Sequence, residues 1–408
     1  AAELELEHAV AADVGGTSFD TCLIDHGRAP VLYEGSVVGL PIQTPWIDVR
    51  SIGAGGGSIA YVDAGGLLRV GPRSAGADPG PACYGRGGTE PTVTDAAIVL
   101  GMLPSERISG GVHLHRELAE QALERLAEQL EFESATVAAR GVIQIVAAQM
   151  GDAIRGVTVE RGRDPREAAL VAFGGAGPLF GTLLAGELGS TCVVVPAYAG
   201  NFSAWGLLRA ELAQTASRTY LTRLNERGID AARELARTLF AQLDQEGYGR
   251  NGAGATRRVQ LDMRFVGQEH TLTVDASGDP HVLLADDVVV AERFLDEYER
   301  TFGSTIDEAL EIVCVRAVLT VDEHAHGVAA PVFPSTPGAA DDTVMAWSFA
   351  ADRMLEFART ERSALAVGQR LHGPAIITEA TTTTYLDAGH ALEVHPTGSL
   401  IVTRTDRP

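Results

Sequence analysis

Residues 168–188 constrain the fold more than any other stretch. Ala168–Phe173 is a run of six apolar residues, cut off by Gly174-Gly175-Ala176-Gly177-Pro178 and followed by apolar sequence to Leu188. A strand that uniformly apolar needs cover on both faces. Cys192–Val195 repeats the pattern, and Asn201–Leu212 reads as the helix after it. Strand, glycine turn and helix in this alternation predict an α/β domain. The uncharged stretches Ala168–Gly186 and Leu188–Leu208 have the length of membrane spans, but glycines and prolines break each where one helix would have to be continuous. They are expected to be buried strand–turn–helix units.

The chain has 408 residues, 45% of them hydrophobic, enough for a sizeable core and more than one domain. The N-terminal part reads as β: Ala9–Ala12, Phe19–Ile24, Val31–Val38, and a hairpin of Ile59–Val62 with Leu67–Val70. Helices follow: one capped at Thr94-Asp95 and running through Leu103, one carrying Leu118, Ala122, Leu123, Leu126 and Leu130, and a long one from Ser134 to about Ile154. The character changes near residues 213–220. Beyond lie helices at Ile229–Gln245 and Val288–Thr301, strands at Val259–Phe265, His270–Val274 and Glu311–Val321, a proline-rich linker at Gly327–Ala340, and β segments at Ala375–Tyr385, Ala391–His395 and Ser399–Arg404. These predict two domains, 1–214 and 215–408, the second of α+β type.

The formal net charge is −22, and no lysine occurs. Mechanisms that need a lysine of this chain, a Walker-type phosphate lysine or a Schiff base, are excluded. Such acidity disfavours nucleic acid and anionic membranes as partners. Cys22, Cys83, Cys192 and Cys314 are scattered and form no CxxC pair, as expected of reduced thiols in a cytoplasmic protein. No signal peptide is visible. The chain opens on Ala1 and reaches its first glycine turn within about fifteen residues, so a fragment or a processed chain is expected.

Two motifs carry chemistry. In Asp13-Val14-Gly15-Gly16-Thr17-Ser18-Phe19-Asp20 a strand delivers an acid and two glycines turn the backbone tightly. The amides of Gly15 and Gly16 and the hydroxyls of Thr17 and Ser18 can face phosphate oxygens, while Asp13 and Asp20 can hold Mg²⁺ or orient water. The alternative is an ordinary Gly-Gly hairpin, which needs neither the acid nor the hydroxyls. In the second motif, Gly174, Gly175, Ala176 and Gly177 open a helix where free amides meet a phosphate or a flat ring; the alternative is close helix–strand packing. Gly53-Ala54-Gly55-Gly56-Gly57-Ser58 precedes a hairpin, not a helix, so a dinucleotide loop is rejected and a flexible active-site loop or a plain connector is expected.

In this order the two motifs resemble the acetate kinase, sugar kinase, heat-shock ATPase and actin superfamily. A closer resemblance is to the hydantoinase A/5-oxoprolinase family, N-methylhydantoinase A-like and related to the nucleotide-binding subunits of acetone and acetophenone carboxylases. It is carried by Pro41-Ile42-Gln43-Thr44-Pro45, Ile47–Arg50, Gly53–Ser58, Ala77–Gly85, Pro91–Ala96, Leu261–Gln268 and Gly373–Ile377. The resemblance implies an actin/sugar-kinase-like (ribonuclease H-like) ATPase domain with a C-terminal α+β domain. It also implies ATP with Mg²⁺ or Mn²⁺, and ring opening of a cyclic amide (hydantoin, N-methylhydantoin or 5-oxoproline) through phosphorylation of its carbonyl oxygen. A B-type hydantoinase subunit is the implied partner, in a homo- or hetero-oligomer. The alternatives are a carboxylase subunit and a catalytically incomplete assembly module.

The expected catalytic carboxylates are Asp13, Asp20, Asp48 and Asp95, with Asp95 as a helix cap and Cys83 as a buried thiol the plainer alternatives. Asp78, Cys83, His113 and His115 are the local candidates for a metal site; the other histidines form no ligand spacing. The chain departs from the family in two ways. Only one Asp-x-Gly-Gly-Thr loop is present, where relatives usually carry an earlier one in an additional domain. Phe180 also stands where relatives often have His.

Overall fold

The computed structural model describes residues 2–405 apart from 33–34, 38, 43–45, 105–112, 209, 211, 247–254, 279–281 and 322–341. The expected linker at Gly327–Ala340 and residues 43–45 of the Pro41–Pro45 motif lie outside the described residues.

The chain begins with a hairpin of β1 (His8–Val14) and β2 (Phe19–Asp25), followed by β3 (Arg50–Ile52) and a second hairpin of β4 (Ser58–Val62) and β5 (Leu68–Ser74). Helices α1 (Val93–Val99), α2 (Arg116–Gln129) and α3 (Ala135–Val159) lead to β6 (Ala169–Phe173), α4 (Gly177–Leu188), β7 (Cys192–Val195) and α5 (Phe202–Leu207). A second unit, 206–329, holds β8 (Leu212–Arg223), α6 (Glu226–Gln245), β9 (Thr256–Phe265), β10 (Leu272–Asp275), α7 (Asp287–Phe302) and β11 (Leu310–Val321). The chain then returns to the first unit with β12 (Asp342–Ser348), β13 (Arg353–Glu361), β14 (Arg370–His372), β15 (Ala375–Thr378), β16 (Thr383–Leu386), β17 (His390–Val394) and β18 (Leu400–Arg404).

The centre of the first unit is an eight-stranded sheet in the order β14-β17-β18-β7-β6-β1-β2-β3. Strands β1, β6 and β7 run parallel, and β2 is antiparallel to both β1 and β3. Within it, β3-β2-β1-β6-β7 is the strand order of a ribonuclease H-like core. The apolar run of β6 explains its central place: Ala169, Leu170 and Ala172 are buried between covering layers. Helix α3 starts where the Ser134 hydroxyl accepts from the Val137 amide, and it buries twelve residues. Helix α4 has Pro178 in its first turn and ends on Gly189 in the left-handed region, φ 73°. A four-stranded sheet, β12-β13-β15-β16, completes this unit. The second unit is an antiparallel sheet, β8-β11-β9-β10, with α6 and α7 and its own core, where Phe265, Phe294 and Tyr298 meet edge to face or tilted.

Several expectations are corrected. The domain boundary at 214/215 fails because the last part of the chain does not form a separate domain with 215–321. Strand β18 pairs with β7 at the heart of the first sheet, so 206–329 is an insertion. Local pattern identifies a β segment but not the sheet that receives it. The helix after β7 is only six residues long, and Leu212 opens a strand instead. The first cap belongs to Thr92, with Asp95 at its third helical position closing a capping box. Of the expected Val31–Val38 strand, Val31–Leu32 and Gly35–Val37 are β; residues 33, 34 and 38 lie outside the described residues. Ala375–Tyr385 is two strands, β15 and β16, folded back on each other. Among the described residues no helix is long and apolar enough to cross a membrane; both uncharged stretches form strand–turn–helix units, the first buried as expected, the second ending in a short helix with no buried residue.

Candidate functional site

The ends of β1, β6 and β7 bring the two glycine motifs together. Asp13 and Asp20 face each other in register across the β1–β2 hairpin. The turn between them is closed by the Gly15 amide donating to Ser18 O at 3.0 Å. Gly16 and Thr17 are exposed at its tip. Gly174, at the end of β6, sits against the same strand: its φ is 86°, and a Cβ there would lie 2.3 Å from Asp13 Oδ1 and 2.5 Å from Val14 O. Only glycine allows this approach. The Ala176 amide donates to Val14 O at 2.9 Å, joining the second turn to the first. Gly175 has open space above it, its nearest neighbour for a Cβ being Thr381 O at 3.9 Å. Gly177 is buried in the first turn of α4.

Asp13 and Asp20 are half-buried, and neither has a basic partner among the described residues. Burial lifts the Asp13 carboxyl above its ordinary value; a 2.6 Å hydrogen bond from the Ser203 hydroxyl opposes this, and the charge of Asp20 adds to it. The Ser18 hydroxyl donates to Asp20 at 3.0 Å. Like charges directly opposite on neighbouring strands oppose pairing, so this arrangement favours a bound cation.

The glycine block 53–58 forms a clamp. The amides of Gly56 and Gly57 donate to the carbonyls of Gly15 and Gly16 at 3.0 and 2.6 Å. A Cβ on Gly55 would lie 2.6 Å from the Thr17 amide nitrogen. Gly56 O in turn accepts from the Thr94 amide and hydroxyl, both at 2.8 Å. The block is therefore bonded to the phosphate-loop candidate below and to α1 behind it, which corrects the expectation of a flexible loop.

Asp48 and Asp95 lie apart from this cluster. Asp95 is fully buried and accepts from the amides of Ala82, Cys83 and Thr92 and from the Thr92 hydroxyl. Those bonds use its acceptor capacity and fix the start of α1. Asp48 accepts from Arg161 at 2.5 Å. Burial and then the Asp95 charge push the buried Cys83 thiol far up. His113 and His115 stack at 5.1 Å, Asp78 is exposed, and no group of three or more metal-ligating side chains occurs among the described residues. Phe180 is 1% exposed in the core.

Three contributions were missed in the sequence. Ser203 reaches Asp13 from α5. The turn 379–382 reaches the second glycine motif: Thr382 donates its hydroxyl to Gly175 O at 3.2 Å. Arg362, 6% exposed, donates to Glu379 at 2.8 Å and to the carbonyls of Val195 and Gly398 at 3.1 and 2.6 Å, tying this turn to the end of β7. The hydroxyl-rich run Thr381–Thr384 was the available signal.

Residues 1–216 match the hydantoinase/oxoprolinase family. The alpha subunit of caprolactamase from Pseudomonas jessenii is 33% identical over 98% of this chain and 58% of its own length. The acetophenone carboxylase gamma subunit of Aromatoleum aromaticum is 34% identical over 74% of this chain and 43% of its own. The chain thus spans about half the length of these curated relatives. The crystal structure of the ATP-dependent caprolactamase from Pseudomonas jessenii superposes with a TM-score of 0.87 at 30% identity, over 99% of this chain and 60% of that one. The fold is the actin-like, ribonuclease H-like α/β type. On its phosphate-loop candidate, its fold and the match over residues 1–216, the chain belongs to the hydantoinase/oxoprolinase family.

Proposed function

We propose that this chain contributes a nucleotide-phosphate wall to an ATP-dependent cyclic-amide hydrolase. The observation that carries the reading is the facing pair Asp13 and Asp20, half-buried at a Gly-Gly turn and free of basic partners among the described residues. The residues fit the nucleotide and its metal. Gly15 and Gly16 have no neighbour within contact distance of a Cβ except Ser18 O at 3.8 Å, so ligand oxygens can approach the backbone. Two carboxylates suit Mg²⁺ or Mn²⁺, which takes its remaining ligands from water and phosphates.

Bound ATP would supply the phosphoryl group that makes an amide carbonyl electrophilic, and the metal would offset its charge. Asp13 and Asp20 would hold the metal. The Gly16 amide and the Thr17 hydroxyl would orient phosphate oxygens, while the Gly15 amide and the Ser18 hydroxyl, bonded to Ser18 O and Asp20, shape the turn. At the second turn Gly175 has the open space that would receive the adenosine end, and Gly174, Ala176 and Gly177 pack the turn against β1. Ser203 holds Asp13 in place, and the Gly55–Gly57 clamp keeps the loop from relaxing, so that positioning and charge stabilisation are prepared in advance. Asp48 and Asp95 act as supports. Hydantoin, N-methylhydantoin and 5-oxoproline are the substrate class, with a B-type subunit as partner. The scattered free thiols suit a reducing, cytoplasmic setting.

Similarity to a carboxylase gamma subunit supports a second reading, in which the same site serves carboxylation of a ketone. Full-length protein with its partner subunit, assayed for ATP-dependent ring opening and for bicarbonate fixation on acetone or acetophenone, separates the two. Ring opening supports the first reading, ketone carboxylation replaces it with the second, and neither in an active preparation refutes both.

A further inference from the structure

A cavity of about 680 Å³ lies in the first unit, well separated from the glycine turns. Helix α4 connects the two places. Its first turn carries Gly177, whereas the cavity wall begins at Thr182 and runs to Glu187, about 8–15 Å further along the axis. The volume suits a small organic molecule.

The chemistry of the lining is asymmetric. Ala147, Leu183 and Phe349 give it an apolar wall. Its two carboxylates are committed elsewhere. Asp387, 4% exposed, accepts from the Ser348 hydroxyl and from the amides of Ala350 and Ala388. Glu187 accepts from Arg155 at 2.8 Å. The uncommitted polar groups include donors. Arg404 and His390 are direct partners across the β17–β18 ladder, so their side chains emerge on the same face. Arg404 has no side-chain partner among the described residues, and neither has Gln144. His390 uses Nδ1 toward Ala388 O, which leaves Nε2 available. In a chain of net charge −22, where Glu187 is paired with Arg155 and Asp387 is held by a hydroxyl and two amides, an unpaired guanidinium beside an imidazole stands out.

We propose that this cavity binds a small organic carboxylate, its anionic group held by Arg404 and His390 and its apolar body against Leu183 and Phe349. The proposal does not depend on the nucleotide reading, because it uses a separate set of residues.

Isothermal titration of the 408-residue chain with hexanoate tests it, with 1-hexanol, hexylamine and inorganic phosphate as comparisons. Saturable binding of hexanoate at one site per chain is expected, with 1-hexanol and hexylamine at least tenfold weaker. Arg404→Gln should weaken hexanoate about 10- to 100-fold, the loss of a charge-assisted pair. Its urea midpoint should not move, since Arg404 is exposed. Leu183→Asn should weaken hexanoate but not phosphate. Phosphate binding as tightly as hexanoate would overturn the apolar half of the proposal. No saturable hexanoate binding, or full affinity in folded Arg404→Gln, would overturn it entirely.

Discussion

The two ends of the β1–β2 hairpin carry acids in opposite circumstances. At one end Asp25 accepts from Arg163 at 2.6 Å and lies 2.7 Å from His8 Nδ1. Burial works against its charge, but Arg163 and His8 outweigh that and hold its carboxyl below the usual value. Asp48 nearby is likewise matched by Arg161. At the other end, about 17 Å along the strands, Asp13 and Asp20 face each other without a cation from the protein, and burial moves Asp13 upward. The same sheet therefore stabilises one set of charges and strains the other. Concentrating local conflict at one place, inside an otherwise consistent fold, is expected of a functional site.

If the strained end is held by a rigid frame, breaking the frame should cost most. Arg362→Leu leaves Glu379 nearly buried without its partner and two carbonyls without their donor. Its expected cost is about 3–5 kcal/mol in urea denaturation. Gly174→Ala comes next. A left-handed φ and a methyl group 2.3 Å from Asp13 Oδ1 should cost about 2 kcal/mol or more. Gly175→Ala, one residue on, should stay within about 0.5 kcal/mol, since it has space and no positive φ. Equal losses at the two glycines would mean that the turn is not built against Asp13.

The ends themselves should respond with opposite signs. Asp25→Asn should lose about 1 kcal/mol at pH 7, a modest value because the pair is partly exposed. Its depressed carboxyl contributes stability that is present above the unfolded-state value and lost as pH falls through the folded-state value. Asp13 behaves inversely. Its raised carboxyl destabilises the metal-free chain once ionised, and this penalty disappears as pH falls through its folded-state value. Asp13→Asn or Asp20→Asn should therefore leave stability unchanged or raise it by about 0.5 kcal/mol at pH 7 without divalent metal. Urea midpoints from pH 4 to 8 measure both slopes.

Local chemistry made part of this readable from the residues alone. The Asp13–Asp20 hairpin, the β6 run and its glycine turn, and the Ser134 cap are each encoded within a few neighbouring residues. What escaped is carried by distant pairings. Ser203 is 190 positions from Asp13, and Thr382 is 207 from Gly175. Arg362 acts through carbonyls of Val195 and Gly398 that no side-chain pattern marks. The same limit hid the return of β18 to β7 and so displaced the domain boundary. Asp95 looked chemical because it stands in a dense motif; its burial among three amides and a hydroxyl makes it a structural fixture.

The central claim is that Asp13 and Asp20 form half of a metal–nucleotide site. Titrating Mn²⁺ with and without ATP into the chain and its Asp13→Asn/Asp20→Asn variant, followed by electron paramagnetic resonance, tests it most directly. The account predicts one saturable, ATP-enhanced Mn²⁺ site per chain. In the double variant that site should weaken more than about tenfold while the urea midpoint holds or rises, as expected when charged ligands are removed from a strained pair. Undiminished ATP-enhanced Mn²⁺ binding in the folded double variant would contradict it.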